Sequence, residues 1–416
     1  MQILMSLVGI VSLLAIAVLL SDNRKAINLR TVGGAFAIQA GLGALVLYTP
    51  FGQEILGDIS TAVINVINYA NEGIGFLFGD LGRFKVGFVF AVNVLPIIIF
   101  FSSLVAVLYY LGIMQKVVAF LGGGLQKLLG TSRTESLSAT ANIFVGQTEA
   151  PLVVRPYISN MTQSELFAVM VGGLASVAGS VLAGYAGMGV ELKYLIAASF
   201  MAAPGGLLMA KIIKPEVEAP DDSYLSDEQV EADKPANIVD AAASGASSGM
   251  KLAANVGAMV LAFIALIAML NGIIGWVGGF FDQPDLSLEM ILGYVFSPLA
   301  FLIGVPGHEI LTAGSFIGQK LIVNEFVAYM NFVNYLSPEA AAAAGVEVLS
   351  GRTQTIITFA LCGFANISSL AILLGGLGVM APKRRPDIAR MGLKAVAAGT
   401  LSNLMSAAIA GLMFAL

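Results

Sequence analysis

Three separate stretches of 30 residues, 86–115, 252–281 and 353–382, contain no charged side chain. Runs of that length and character cross a bilayer core as helices, with length to spare for tilt. Shorter uncharged or nearly uncharged runs at 1–20, 31–48, 166–190, 194–210 and 395–416 bring the expected number of crossings to eight. Only 11% of the chain is charged and 57% is apolar, against about 25% charged in a soluble domain. The fold class is therefore an all-α membrane protein. One cysteine, Cys362, rules out an internal disulfide, and one histidine, His308, rules out a two-histidine zinc motif. No basic patch with interleaved aromatics points to nucleic acid.

Loop charge orients the spans. Residues 1–20 lack a basic leader and a small-residue cleavage site, and so read as a retained helix. Asp22, Arg24, Lys25 and Arg30 form a basic loop that should be cytoplasmic, placing the N-terminus outside. Lys383, Arg384, Arg385, Arg390 and Lys394 form the most basic loop, also cytoplasmic. Arg83 and Lys85 fall on the outer side of this scheme, against the rule. Glu54, Asp58, Asn65, Asn68 and Glu72 interrupt 51–78, as in a helix lying at the interface. The linker 214–237 carries eight acids, two lysines and three prolines and reads as solvated. The expected organisation is 1–50 as N-terminal helices, 51–80 as an interfacial helix, 86–213 as one repeat, 214–237 as a cytoplasmic linker and 238–416 as a second repeat.

Against this apolar background, Gly146-Gln147-Thr148-Glu149-Ala150-Pro151 places an amide, a hydroxyl and a carboxylate side by side. Consecutive side chains on a helix point about 100° apart, so all three face one site only at a helix end or turn. A carboxylate at bilayer depth costs roughly 2.5–3.5 kcal/mol and usually faces a cavity; in a surface loop it would cost nothing. The apolar pieces 137–145 and 152–154 are too short to cross, so 134–158 reads as a re-entrant hairpin. In 166–190, Gly172, Gly173, Ser176, Gly179, Ser180, Gly184 and Gly187 mark either tight packing or a helix unwound near its centre.

The order repeats after the linker: a long span, a piece at 286–305, a broken segment at 307–335 carrying Glu325, and a span interrupted at Asn366. Basic loops put the first hairpin on the cytoplasmic side and the second outside, an inverted repeat whose paired interruptions point to a midplane site. Asn366 and Ser369 share a helical face, but Phe364 lies about 160° from Asn366, so all three meet only across a break. Such a break frees carbonyls for a hard cation. Two plainer readings stand beside these: Asn366 as interhelical packing glue, and Glu325 at a surface end.

Residues 146–157 (GQTEAPLVVRPY), 324–329 (NEFVAY), 363–369 (GFANISS) and 399–407 (GTLSNLMSA) resemble the concentrative nucleoside transporter family. So does the interfacial stretch 70–79. The likeness runs over nearly the whole chain and is strongest to short bacterial members. It implies a homotrimer in a bacterial inner membrane, surrounded by lipid, importing nucleosides such as uridine with Na+ by an elevator-like motion. It further implies that Gln147, Thr148 and Glu149 bind the nucleobase, with Val181 and Leu252 nearby and Phe364 against the ring. Glu325, Asn366 and Ser369 would hold the ribose. Sodium would sit on carbonyls of Asn142, Val145, Ser176 and Val177 and on the Ser176 hydroxyl. The segment 336–352 is longer than the family pattern and carries no site residue. Proton coupling through Glu149, a channel and a membrane enzyme are the competing functions, the last unsupported by any nucleophile–base pattern.

Overall fold

The computed structural model describes residues 2–83, 85, 87–220 and 235–416, in which every regular element is a helix. Positions 221–234 of the linker and position 86 of an expected span lie outside the described residues. Two apolar helices, α1 (Gln2–Leu19) and α2 (Leu29–Leu47), come first, the second capped by Asn28. The expected interfacial helix is α3 (Pro50–Phe78). Next come α4 (Phe90–Asn93) and α5 (Leu95–Tyr110). Pro96, inside the uncharged run 86–115, lies just past the one-residue break at Val94 that separates α4 from α5. It sits in the first turn of α5, where a missing N–H costs nothing.

Next is α6 (Ile113–Leu129), which sets Lys116, Gln126 and Lys127 among apolar residues and is bounded by Gly112 and Gly130 at φ +75° and +68°. Both ends need a left-handed residue, which glycine supplies without strain. Two short arms follow, α7 (Arg133–Ala141) and a 3-10 segment, Ala150–Tyr157, joined by the polar turn. The expected interruption of the next span is real: α8 (Gln163–Ala175) stops and α9 (Gly179–Gly187) resumes. After α10 (Leu192–Ile213) and the linker come α11 (Ile238–Gly279), 42 residues long, and α12 (Leu288–Leu302). The second broken segment is α13 (Ile310–Ile322) and α14 (Glu325–Phe332), then a short α15 (Pro338–Ala344) within the long insertion. The last span but one is split into α16 (Gly351–Leu361) and α17 (Ile367–Met380). The final helix, α18 (Arg385–Ala415), absorbs most of the expected basic loop. Pro386 occupies its first turn, so Arg385, Arg390 and Lys394 lie on helix, not in coil.

Among the described residues seven helical segments are long and apolar enough to cross a membrane. Of the spans expected from sequence, the α16–α17 pair is absent from that set because its halves are short. Burial sorts the helices into two layers. The α8–α9 segment is 94% buried and α10 89%, whereas α11 is only 11% buried. The broken and glycine-rich helices are thus wrapped in protein, which membrane-depth irregular backbone requires.

Two polar clusters fix the ends. Asp22 bonds Lys214 and Lys394, Gln163 bonds Asp387, and Arg384 donates to the Met161 carbonyl, which gathers the described parts of the 21–30, 214–220 and 383–394 segments at one end. Arg352 ties the Gly304 and Gly411 carbonyls to the Ser6 hydroxyl at the other. The base of the 133–157 segment lies at the Asp22 end through Lys211, which pairs with buried Glu135 at 2.6 Å. The base of the 310–332 segment lies at the Arg352 end, where Glu309 accepts from Ser350.

The long helix α11 packs on α5 through Gly245 and Gly249. A Cβ on Gly245 would lie 2.5 Å from Ala106 Cβ and 2.7 Å from the Ser102 carbonyl. Gly272, farther along α11, has open space. Gly245→Val should therefore cost about 1–3 kcal/mol by overpacking and visibly lower the thermal transition in detergent. Gly272→Val should leave it nearly unchanged, and equal effects would show that the helix contact is not this close.

Candidate substrate and cation site

The first interruption lies where the turn of the 133–157 segment rests on α8 and α9. Ser176, the residue after α8, is extended at φ −108°, ψ 174°, and its hydroxyl donates back to the Gly172 carbonyl at 2.9 Å. Two glycines make room for the turn. A Cβ on Gly173 would sit 2.9 Å from Gln147 Cβ, and one on Gly179 would sit 3.0 Å from the Phe144 carbonyl. The Gly179 N–H instead donates to that carbonyl at 3.0 Å.

Buried backbone oxygens normally find donors, and only some of those around this junction do. Ile143 accepts from the Ser199 hydroxyl and Phe144 from Gly179. Ser176 accepts from the Phe364 N–H at 3.1 Å. Among the described residues, no N–H or O–H donates to the carbonyls of Asn142, Val145 or Val177. The Asn142 side-chain oxygen is likewise buried without a donor. Two helix C-termini, those of α7 and α8, end at this cluster and add the negative ends of their dipoles. Oxygen donors of this kind fit a hard, weakly hydrated cation, and the Ser176 hydroxyl keeps its lone pairs free because its proton points at Gly172.

At the second interruption the polarity is reversed. Asn366 caps α17, its Oδ1 accepting from the Ser369 N–H at 2.8 Å and the Ser368 hydroxyl at 2.7 Å. Its Nδ2 donates to Glu325 Oε2 at 2.8 Å. Asn324 caps α14 in the same manner, so Glu325 is the first residue of that helix. The Glu325 carboxylate is buried between two helix N-termini, which favour its charge. From across the junction Gln147 Nε2 donates to the Ser369 hydroxyl at 3.4 Å, and Gln147 Oε1 is buried without a donor.

The structure thus joins Gln147, Ser369, Asn366 and Glu325 in one hydrogen-bonded line, and Ser176 to Phe364 beside it. Thr148 abuts α17, with its methyl 3.0 Å from the space a Cβ on Gly376 would take. Val181 is buried on α9; Phe364 and Leu252, the latter on α11, are half-buried. Glu149 is exposed and bonds only within its own turn, accepting from the Gly146 N–H at 2.6 Å.

Three residues near this line escaped the sequence reading. Tyr185 packs its ring 4.8 Å from Phe326 and 4.4 Å from Tyr329, and its hydroxyl sits beside Glu325 without a well-formed hydrogen bond. It is four residues after Val181, hence on the same helical face. Lys320 is buried on α13, and Asn403 is buried on α18 within the 399–407 motif. A lysine in an apolar segment five residues before Glu325 was itself a signal.

Comparison with known proteins identifies the family. The model described as Na+ dependent nucleoside transporter C-terminus matches residues 194–411, its N-terminus counterpart matches 8–81, and a gate model described as nucleoside recognition matches 91–191. The chain is 53% identical to the nucleoside permease NupC of Helicobacter pylori over 99% of this chain and 98% of that one. It is similar to CNTnw in an inward-facing substrate-bound state, at 63% identity and TM-score 0.95 over 100% of this chain and 98% of that one. A CNTnw variant in an outward-facing state matches at 63% identity and TM-score 0.96, covering 100% and 99%. The chain belongs to the Na+ dependent, concentrative nucleoside transporter family: it is a multi-pass membrane transporter and not an enzyme.

Proposed function

We propose that this protein is a symporter that imports nucleosides such as uridine across a bacterial inner membrane, drawing on the sodium gradient through an elevator-type motion. The observation that carries the site reading is the line from Gln147 through Ser369 and Asn366 to Glu325, which spans both broken segments. Glu325 accepts the vicinal ribose hydroxyls. Asn366 has one N–H left for the sugar, and the Ser369 hydroxyl is free to donate. Gln147 offers its unengaged amide oxygen to the base edge, with Thr148 and Glu149 beside it. Phe364, Val181 and Leu252 supply the apolar surround.

Sodium is the co-transported ion. We place it on the carbonyls of Asn142, Val145, Ser176 and Val177 and the Ser176 hydroxyl, with Asn142 Oδ1 as a further donor. There it would draw the first polar turn onto α8 and steady the Ser176–Phe364 contact, which borders the nucleoside. By linkage, nucleoside then tightens sodium by the same factor. A tenfold sodium gradient supplies roughly 1.4 kcal/mol and −100 mV about 2.3 more, enough for accumulation on the order of 500-fold per ion.

The reading of 133–157 and 310–332 as re-entrant hairpins of an inverted repeat is supported by their bases, which lie at opposite ends. In the elevator reading, these segments with α8, α9, α16 and α17 move against α5 and α11. Open clefts of about 490 Å³ beside α11 and α14 and about 560 Å³ beside α3 and the α9–α10 turn leave room at the end away from Asp22. Eight crossings result when α16–α17 is counted as one. A homotrimer would cover part of the exposed apolar face of α11, where Leu261 and Trp276 stand out, and lipid the rest.

Purified protein in liposomes should accumulate labelled uridine under an inward sodium gradient, and undiminished uptake with choline in place of sodium would refute sodium coupling. Glu325→Gln should weaken uridine binding by about 10- to 150-fold, the span for losing a charged hydrogen bond, and weaken 2′,3′-dideoxyuridine far less. Equal losses would remove Glu325 from the ribose. Ser176→Ala should raise the sodium concentration for half-maximal uptake by about tenfold, and an unchanged sodium dependence would put the ion elsewhere.

A further inference from the structure

We propose that Asn403 is the positioning residue through which sodium occupancy is felt at the nucleoside, because one amide group holds the ends of both interrupted helices. This rests on the reading that the α8–α9 interruption faces the cation and the α16–α17 interruption faces the nucleoside. Asn403 lies midway along α18, behind the line of ligand-facing residues, with its amide against Gly363. Its Nδ2 carries two hydrogens, and each goes to a different helix end. One is donated to the carbonyl of Ala175, the last residue of α8, at 2.6 Å. The other goes to the carbonyl of Cys362, which closes α16, at 2.9 Å. Its Oδ1 accepts from the buried Lys320 ammonium at 2.6 Å, and Lys320 also donates to the Ala360 carbonyl at 2.7 Å. Lys320 belongs to the arm that leads to Glu325.

The contact is built into the backbone on both sides. Gly363 has no room for a side chain, because a Cβ there would run into the Asn403 amide. A Cβ on Gly399, one turn before Asn403, would lie 3.0 Å from Leu174 and 3.1 Å from Ala365, residues flanking the two ends. Ala175 directly precedes the Ser176–Val177 pair, and Cys362 precedes Phe364 and Asn366. A shift of either helix end therefore pulls on the other through the Asn403 amide, alongside the direct Ser176–Phe364 hydrogen bond. Neither a longer nor a shorter side chain reproduces two donors and one acceptor at this spacing.

The test compares Asn403→Leu, which removes all three bonds, with Asn403→Asp, which keeps the acceptor for Lys320 and loses both donors. Full-length variants are purified, and labelled uridine binding is titrated without sodium and at saturating sodium; sodium binding is measured alone with a radioactive tracer. In both variants the factor by which sodium tightens uridine should fall at least about fivefold, the lower end of typical coupling, while sodium alone binds within about threefold of wild type. An unchanged factor overturns the proposal. So does a parallel loss of both affinities with the factor preserved, which would mean packing only, and so does failure of both variants to fold. Ser176→Ala run alongside separates the underlying reading: if it leaves sodium affinity untouched, the cation site has been misplaced, whatever Asn403 does.

Discussion

A helix that ends inside a membrane protein leaves backbone N–H and C=O groups with no water to turn to, and the interior of this transporter is organised around satisfying them. Four helices, α7, α8, α13 and α16, end deep in the bundle, and α9, α14 and α17 begin there. The starts are closed by side chains and backbone: Asn324 on α14, Asn366 on α17, and the Phe144 carbonyl on the Gly179 N–H. The ends of α8 and α16 share Asn403. Among the carbonyls that keep no donor among the described residues are those of Asn142, Val145 and Val177.

That residue of unmet hydrogen bonding divides the interior by electrical sign. Helix C-termini with open carbonyls meet at the first junction and suit a cation. Helix N-termini meet at the second and suit the Glu325 carboxylate, which in turn suits hydroxyl donors. The proposed holding of a cation and a polyhydroxylated, uncharged solute in adjoining sites would therefore need no charge transfer between them. The two junctions touch through Ser176 and Phe364 and through Gln147 and Ser369, so occupancy of one bears on the geometry of the other. In the proposed elevator motion, helices with tight glycine contacts, such as α5 against α11, would be the frame against which such a unit slides.

Much of this was legible from the residues in order. Uncharged runs located the spans, glycines and serines located the α8–α9 interruption, and the face argument for Phe364, Asn366 and Ser369 located the other. The polar turn at 146–151 announced itself by contrast with its surroundings. Pro96 and the basic segment after position 382 were harder, because proline is compatible with both a kink and a first turn, and only neighbouring packing decides. Asn403, Lys320 and Tyr185 were not assigned for a different reason: their meaning lies in partners far along the chain. Asn403 meets Ala175 across 228 residues, and no local period reports such a contact. Which carbonyls stay open was equally hidden, since that is settled by what every other donor does.

In the proposed site, backbone carbonyls at two helix ends hold the cation while the carboxylate of Glu325 serves the sugar. A high-resolution experimental structure with sodium and uridine both bound tests it most directly. The expected result is an ion ringed by oxygens of Asn142, Val145, Ser176 and Val177, with Glu325 on the ribose hydroxyls and no carboxylate on the ion. Sodium coordinated by Glu149 or Glu325, or lodged away from the α8–α9 interruption, would contradict it.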